Sequence, residues 1–164
     1  MINSVKNSTL IFFSTLLIAQ TSVENLNFHY GFIGKKMFDS DSLFSISNGD
    51  TLQLGDHIKL NIEFKKGTWF YVLTESQRGE FDILYTSSST DFDDGNIFSS
   101  LEWLTLDPEN TPISYTLISS NSQLSNLEDQ LNKYENAKRK SKKRFKKIIK
   151  KEIERLSNQP TEKT

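Results

Sequence analysis

The chain of 164 residues has no cysteine, two histidines, three prolines and seven glycines. Without cysteine there can be no disulfide bond, no thiolate zinc site, no cysteine nucleophile and no lipid attached through a cysteine. Cysteine-free proteins occur in oxidising and reducing compartments alike, so this absence predicts no location.

Several motifs of common enzymes are also missing. The sequence has no Gly-x-Ser-x-Gly nucleophile elbow, no glycine-rich phosphate loop and no paired histidines on a predicted helix. The sequence therefore lacks the recognisable residues for serine-nucleophile, phosphate-loop and histidine-metal chemistry. We expect a protein that is not an enzyme, with no cofactor and no catalytic residue.

The two histidines provide a first candidate metal site. A zinc ion would need His29 and His57 brought together with a carboxylate such as that of Asp56. Their spacing matches no zinc motif. The sequence therefore favours two solvated histidines on strands.

An acidic loop provides a second candidate. With Asp91 as position 1, Asp93, Ser99 and Glu102 fall at positions 3, 9 and 12 of a helix–loop–helix calcium site. Position 6, which requires glycine, is Asn96, and the preceding residues are poor helix formers. Weak divalent-cation binding is the alternative to a solvated loop.

Charge divides the chain into two unlike parts. Residues 20–131 contain 17 acidic and 6 basic side chains, a net charge of −11, whereas residues 132–164 contain 13 basic and 4 acidic ones, a net charge of +9. An asymmetry of this size predicts two segments with different surroundings.

The N-terminal segment has the pattern of a signal peptide. Lys6 precedes a largely apolar stretch that ends at Ala19 and is shorter than the roughly 20 residues that span a bilayer. We expect residues 1–19 to be removed, the mature chain to begin close to Gln20, and the protein to be secreted or periplasmic. A buried strand and an uncleaved anchor are the alternatives.

A period of two dominates residues 28–85, as expected for strands with one face in a core. Residues 57–64 alternate most clearly, and residues 69–73 form an apolar run that predicts a strand covered on both faces. With residues 81–85, they predict a three-stranded meander. The predicted core residues are Ile58, Leu60, Ile62, Trp69, Tyr71, Leu73, Ile83 and Leu117.

Further strands are predicted at residues 101–106 and 113–119, and the period then becomes helical. Ser125 and Glu128 have the spacing of a capping box. The helix is expected to continue to about Leu156, before Pro160. The predicted fold class is mainly β, a small antiparallel, sandwich-like domain with a long C-terminal α-helix.

Residues 43–131 contain four pieces in a fixed order: paired glycine turns at residues 48–56, an aromatic strand at residues 69–73, a turn leading into a further strand at residues 76–85, and a last strand followed by two leucines at residues 115–127. Through these pieces, residues 43–131 resemble the family known as domain of unknown function (DUF) 4384. The chain departs from the family at Tyr85-Thr86, where the family favours Phe-Pro. The resemblance implies a small β-rich domain of bacterial envelope or signalling proteins, without established catalytic residues.

Residues 132–164 are predicted to form a basic amphipathic helix. Such a helix can associate with an anionic surface of lipid, nucleic acid or polysaccharide. Alternatively, its apolar stripe packs on its own acidic domain, or the helix is a solvated extension. The candidate residues for binding an anionic surface are Arg139, Lys140, Lys143, Arg144, Lys146, Lys147, Lys150 and Lys151.

Together these features predict a non-enzymatic interaction module of the bacterial envelope. Residues 20–42 would form an N-terminal strand region, residues 43–131 a β domain that binds an unidentified protein or glycan, and residues 132–164 a helix on an anionic membrane surface. The runner-up is a nucleic-acid-associated protein that uses the basic segment, although the aromatic residues lie in an acidic domain that would repel phosphate. An enzyme of unrecognised type comes third.

Overall fold

The computed structural model describes residues 8–9, 14–20, 28–76, 78–88, 95–107 and 112–158. Strands precede both helices in the chain, which confirms the predicted fold class. In chain order the elements are β1 (Ser8–Thr9), β2 (Ser14–Gln20), β3 (Phe28–Lys36), β4 (Asp39–Ile46), β5 (Leu52–Gln53), β6 (His57–Lys65), β7 (Trp69–Ser76), β8 (Phe81–Ser88), β9 (Asn96–Ser100), β10 (Leu104–Thr105), β11 (Pro112–Ser120), α1 (Ser125–Glu135) and α2 (Arg139–Ser157).

The strands form two main sheets that pack face to face. In the first sheet, β10, β6, β3 and β4 lie side by side, and β9 pairs with β6 next to β10. The second sheet has the order β2, β11, β7, β8. Neighbouring strands are antiparallel except β2 and β11, which are parallel. A short ladder joins β1 and β5.

A first hydrophobic core fills the space between the two sheets. Every second residue of β6 is buried, which confirms the alternation predicted for this strand. Across the core, Phe64 of β6 stacks on Phe70 of β7 with 4.8 Å between ring centroids and 11° between planes. The buried residues of this cluster are Phe32, Leu52, Ile58, Leu60, Ile62, Phe64, Phe70, Val72, Leu106, Tyr115 and Leu117.

The predicted meander is wrong at its first turn. β6 and β7 belong to different sheets, and only the second turn, from β7 to β8, joins strands that pair with each other. The physical reason lies in the facing apolar sides of β6 and β7. Arranged across from each other, they bury Phe64 against Phe70, whereas a hairpin within one sheet would have placed the two strands side by side.

A second hydrophobic core lies on the other face of the second sheet. The side chains of residues 70–73 are fully buried because Phe70 and Val72 enter the first core while Tyr71 and Leu73 enter the second. This confirms that β7 is covered on both faces. Trp69 and Ile83 are partly buried against the second core, and the other predicted core residues are buried.

The helical region differs from the predicted single helix. α1 ends at Glu135, Lys138 has an extended backbone, and α2 begins at Arg139. A straight helix over residues 125–156 would be about 48 Å long, whereas the nine-residue strands span about 30 Å. The break lets both apolar stripes pack on the same sheet, where α1 and α2 also contact each other.

The predicted capping box is also absent. The residue at the N-cap of α1 is Leu124, and no side chain caps this end. Glu128 instead accepts a hydrogen bond from the Tyr71 hydroxyl, with 2.8 Å between the oxygens, and the same hydroxyl accepts one from the Leu124 amide at 3.0 Å. The carboxylate therefore holds the start of α1 on the sheet.

The N-terminal segment provides an edge strand of the second sheet. Residues 14–20 of β2 pair in parallel with residues 114–120 of β11. The predicted cleavage site before Gln20 falls at the end of this strand. Removal of residues 1–19 would therefore leave β11 without six of its seven paired neighbours on that side.

Candidate functional site

The basic residues of α2 are the sequence-predicted site, and most of them lie on one exposed face. Lys140, Lys143, Arg144, Lys147 and Lys151 are exposed and recur at helical spacing. We call these five residues the basic ridge. Its ends are eleven residues apart, about 16 Å along the helix.

The ridge lies opposite the side of α2 that packs on the domain. Phe145 is partly buried, and Ile149, Glu152, Ile153 and Leu156 are buried against the second core. Of the alternatives for the apolar stripe, the structure thus shows packing on its own domain. The boundary predicted at residue 132 falls inside α1, and the described part of the basic segment belongs to the folded domain.

Two of the predicted basic residues, Lys146 and Lys150, make contacts with the β7–β8 hairpin. The Lys150 ammonium lies 2.7 Å from Glu75 Oε1 and 6.0 Å from the centre of the Phe81 ring. The Lys146 ammonium donates to the carbonyl of Arg78 at 3.5 Å. These two lysines help to fix α2 on the acidic domain and are less available to a ligand.

The start of α2 concentrates positive charge. Six of the seven residues from 138 to 144 are basic, no acidic residue stands in the first turn, and no side chain caps the helix. Since the helix dipole makes this end positive as well, the positive charges at the start of α2 repel one another and the helix end. Lys142, which was not among the predicted residues, lies 4.8 Å from the centre of the Tyr134 ring.

An ion pair between the exposed Arg155 and the buried Glu152 lies at the opposite end of the helix. Arg155 donates to both carboxylate oxygens of Glu152, at 2.8 and 2.9 Å. This pairing lowers the pKa of Glu152; burial acts in the opposite direction, and a hydrogen bond with Asn126 adds to the lowering. Glu152 therefore stays ionised within the packed side of α2, where it links the two helices.

The structure does not bring the two histidines together. His29 is paired with Glu63 across β3 and β6, whereas His57 is paired with Lys35. These two positions are six residues apart on β6, about 20 Å along the strand. Asp56 is occupied by hydrogen bonds from Lys36, Met37 and Gln53, so this combination forms no zinc site.

The predicted calcium site can be followed only in part. Asp91 and Asp93 lie outside the described residues. Ser99 belongs to β9 and Glu102 follows that strand, so the second half of the motif forms no loop-to-helix junction. Within the described ranges, no group of three or more histidine, aspartate or glutamate residues is arranged to hold a metal ion.

A second candidate surface lies on the outer face of the first sheet. There β3, β6 and β9 form a groove of about 340 Å³. One row of side chains crosses it from His29 through Glu63 to Phe98, and the next row runs from Gly31 through Asn61 to Ser100. Sequence reasoning missed this groove, because its rows depend on strand register.

Neither described helix is long and apolar enough to cross a membrane.

No protein-family model matches the sequence, and no curated protein shows significant similarity to it. The resemblance of residues 43–131 to the DUF 4384 family therefore stays a prediction.

Proposed function

We propose that the protein is a non-enzymatic interaction module of the bacterial envelope, secreted or periplasmic, that associates with anionic membrane surfaces through α2. Its β domain then presents a second surface to a protein or glycan partner. The N-terminal signal pattern supports the location, and the lack of recognisable catalytic motifs supports binding in place of catalysis.

The position of the basic ridge is the observation that carries this proposal. The ridge faces away from the domain while the opposite side of α2 is buried, so its five charged side chains lie on one face of a helix that is fixed to the domain. Each Lys or Arg near an anionic membrane contributes about 1 kcal/mol. Because the apolar stripe is covered by its own domain, we propose electrostatic contact with lipid headgroups without insertion of the helix.

Vesicle sedimentation tests this proposal directly. The full mature chain should bind vesicles of phosphatidylcholine mixed with phosphatidylglycerol, and should not bind vesicles of phosphatidylcholine alone. Binding should weaken steeply between low and physiological salt, since exposed charges are screened within roughly 8–10 Å. The Lys143→Gln, Lys147→Gln double variant should bind about thirtyfold more weakly.

A matched control removes two positive charges from a part of the domain outside the basic ridge. Lys65 and Lys66 lie at the turn between β6 and β7, so Lys65→Gln, Lys66→Gln should leave vesicle binding nearly unchanged. Equal losses from the two double variants would mean that net charge, and not the ridge, drives binding. Tighter binding to duplex DNA than to the anionic vesicles at physiological salt would favour the nucleic-acid alternative.

A further inference from the structure

We infer that the groove on the outer face of the first sheet binds an uncharged saccharide. This inference rests on the proposed function, because it assigns a ligand class and a place to the partner surface of the β domain. It requires nothing of α2, which packs on the other sheet.

Gly31 is the first observation. It stands in the interior of β3, paired with Asn61 without a bulge, and it is not among the glycines with positive φ. A β-carbon at Gly31 would meet no atom within 4 Å. Glycine within a strand weakens it and often marks a bulge, a bend, or the close approach of a ligand or another backbone. The regular pairing excludes a bulge at Gly31, and the open space excludes a neighbouring backbone.

Gly34, in the same strand, shows what a structural glycine looks like. A β-carbon at Gly34 would lie 2.5 Å from the Phe44 ring, so that glycine makes room for a neighbouring side chain of the protein. The space above Gly31 is instead open, and Gly31 itself forms the floor of the groove. We conclude that Gly31 leaves room for something outside the protein.

The groups around Gly31 are those that bind sugars. Phe98 is 76% exposed, which leaves a ring face on which the C–H side of a sugar can pack. Asn61 accepts a hydrogen bond from Ser100 and Glu63 accepts one from Asn96. The amide of Asn61 keeps two N–H donors and the carboxylate of Glu63 keeps an acceptor oxygen, which suit the donors and acceptors of sugar hydroxyls.

Charge and volume decide the class of saccharide. The residues that line the groove include the Glu63 carboxylate but no lysine or arginine, so the groove offers no cationic side chain to pair with a phosphate or carboxylate on a saccharide. The groove volume of about 340 Å³ lies at the lower end of the range for small-ligand sites. The site therefore fits one or two rings of an uncharged glycan.

A filled groove provides the sharpest test. Gly31→Val should leave the melting temperature unchanged or raise it, because the β-carbon meets no atom and valine favours strands. The same change should abolish binding to immobilised uncharged oligosaccharides of glucose, galactose, mannose and N-acetylglucosamine, at least one of which the full mature chain should bind.

Two aromatic variants provide the comparison. Phe98→Ala should weaken that binding about tenfold, whereas Phe38→Ala, which removes a 94% exposed ring at the β3–β4 turn, should leave it unchanged. The inference would be overturned if the mature chain bound none of the four kinds of oligosaccharide, or if Gly31→Val bound them as tightly as the unmodified chain. A groove that binds proteins but no saccharide would overturn it as well.

The vesicle assay separates this inference from the proposed function. Gly31→Val should bind anionic vesicles like the unmodified chain, and the Lys143→Gln, Lys147→Gln variant should bind saccharide normally. Loss of saccharide binding in the lysine variant would contradict a separate groove. If the lysine variant loses vesicle binding but keeps saccharide binding, the inference about the groove remains supported.

Discussion

The Tyr71 hydroxyl donates a hydrogen bond to Glu128 across the boundary between the second sheet and α1, with 2.8 Å between the oxygens. The same hydroxyl accepts a hydrogen bond from the Leu124 amide at 3.0 Å. Burial and the nearby Glu128 carboxylate raise the pKa of Tyr71, so the phenol remains a donor at all ordinary pH values. One buried hydroxyl thereby positions the first turn of the helical region.

Tyr71→Phe should lower the free energy of unfolding by about 1–3 kcal/mol, since it removes the partner of the buried Leu124 amide and of the partly buried Glu128 carboxylate. Urea denaturation measures this loss. Tyr85→Phe, at a partly buried tyrosine near the first core, is the control and should change stability much less. Equal losses would show that the hydroxyl of Tyr71 has no special role.

The alternation in β6 gives a second prediction. Ile62 is 2% exposed and points into the first core, whereas its neighbour Glu63 lies on the outer face. Ile62→Ala should lower the free energy of unfolding by about 2–5 kcal/mol, and Glu63→Ala should cost far less. Equal melting temperatures for the two variants would mean that the register of β6 is wrong.

Local patterns predicted the elements better than their arrangement. The alternation of β6 and the apolar run of β7 report which faces are buried, and both predictions are confirmed. Neither pattern reports the partner of a strand. β6 pairs with β3 and β7 with β11, and these pairings depend on contacts far apart in the sequence.

The groove shows the same limit at the level of a site. His29, Glu63 and Phe98 are adjacent only because β3, β6 and β9 pair in one register. The basic ridge, by contrast, lies within one helix, so its spacing was visible in the sequence. The sequence did not show whether the apolar side of α2, opposite the ridge, packs on its own domain. That packing depends on residues of the second core that lie far away in the sequence.

Asp56 gives a prediction for pH. Burial by itself raises the pKa of Asp56, but hydrogen bonds from the Gln53 amide, the Lys36 ammonium and the Met37 amide outweigh burial and lower the pKa below its usual value of 3.8. The stability contributed by this carboxylate is therefore complete above the pKa of the unfolded chain. It is lost as the pH falls through the lower folded pKa.

Asp56→Asn should accordingly cost about 2 kcal/mol near neutral pH, where the charge-assisted bonds are lost. The difference from the unmodified protein should shrink as the pH falls below about 4. Melting temperatures across that range measure this, with Asp50→Asn at an exposed turn as the control. A difference that stays constant with pH would contradict a role for the ionised form.

The packing of α2 changes what truncation is expected to do. From the sequence alone, a chain that ends at Asn132 should keep a folded β domain. In the structure such a chain would lose Tyr134, Ile149, Ile153 and Leu156 from the second core. We therefore expect it to be strongly destabilised.

Point variants separate packing from charge in α2. Ile149 is fully buried, so Ile149→Ala should cost about 2–5 kcal/mol, while Lys147→Gln should leave stability nearly unchanged. Thermal unfolding of both variants is the measurement. An unchanged melting temperature for Ile149→Ala would mean that α2 does not pack as the structure shows.

The last prediction concerns the N-terminal strand. We expect the exported protein to begin close to Gln20, as its mass would show, and β11 then loses most of its parallel partner β2. The backbone amides of β11 on that side should exchange with solvent faster in the processed protein than in a chain that retains residues 1–19, because an edge strand leaves its hydrogen-bonding groups unpaired. An exported protein that keeps Met1, with the same slow exchange in β11, would show that residues 14–20 are a permanent strand and not part of a removable leader.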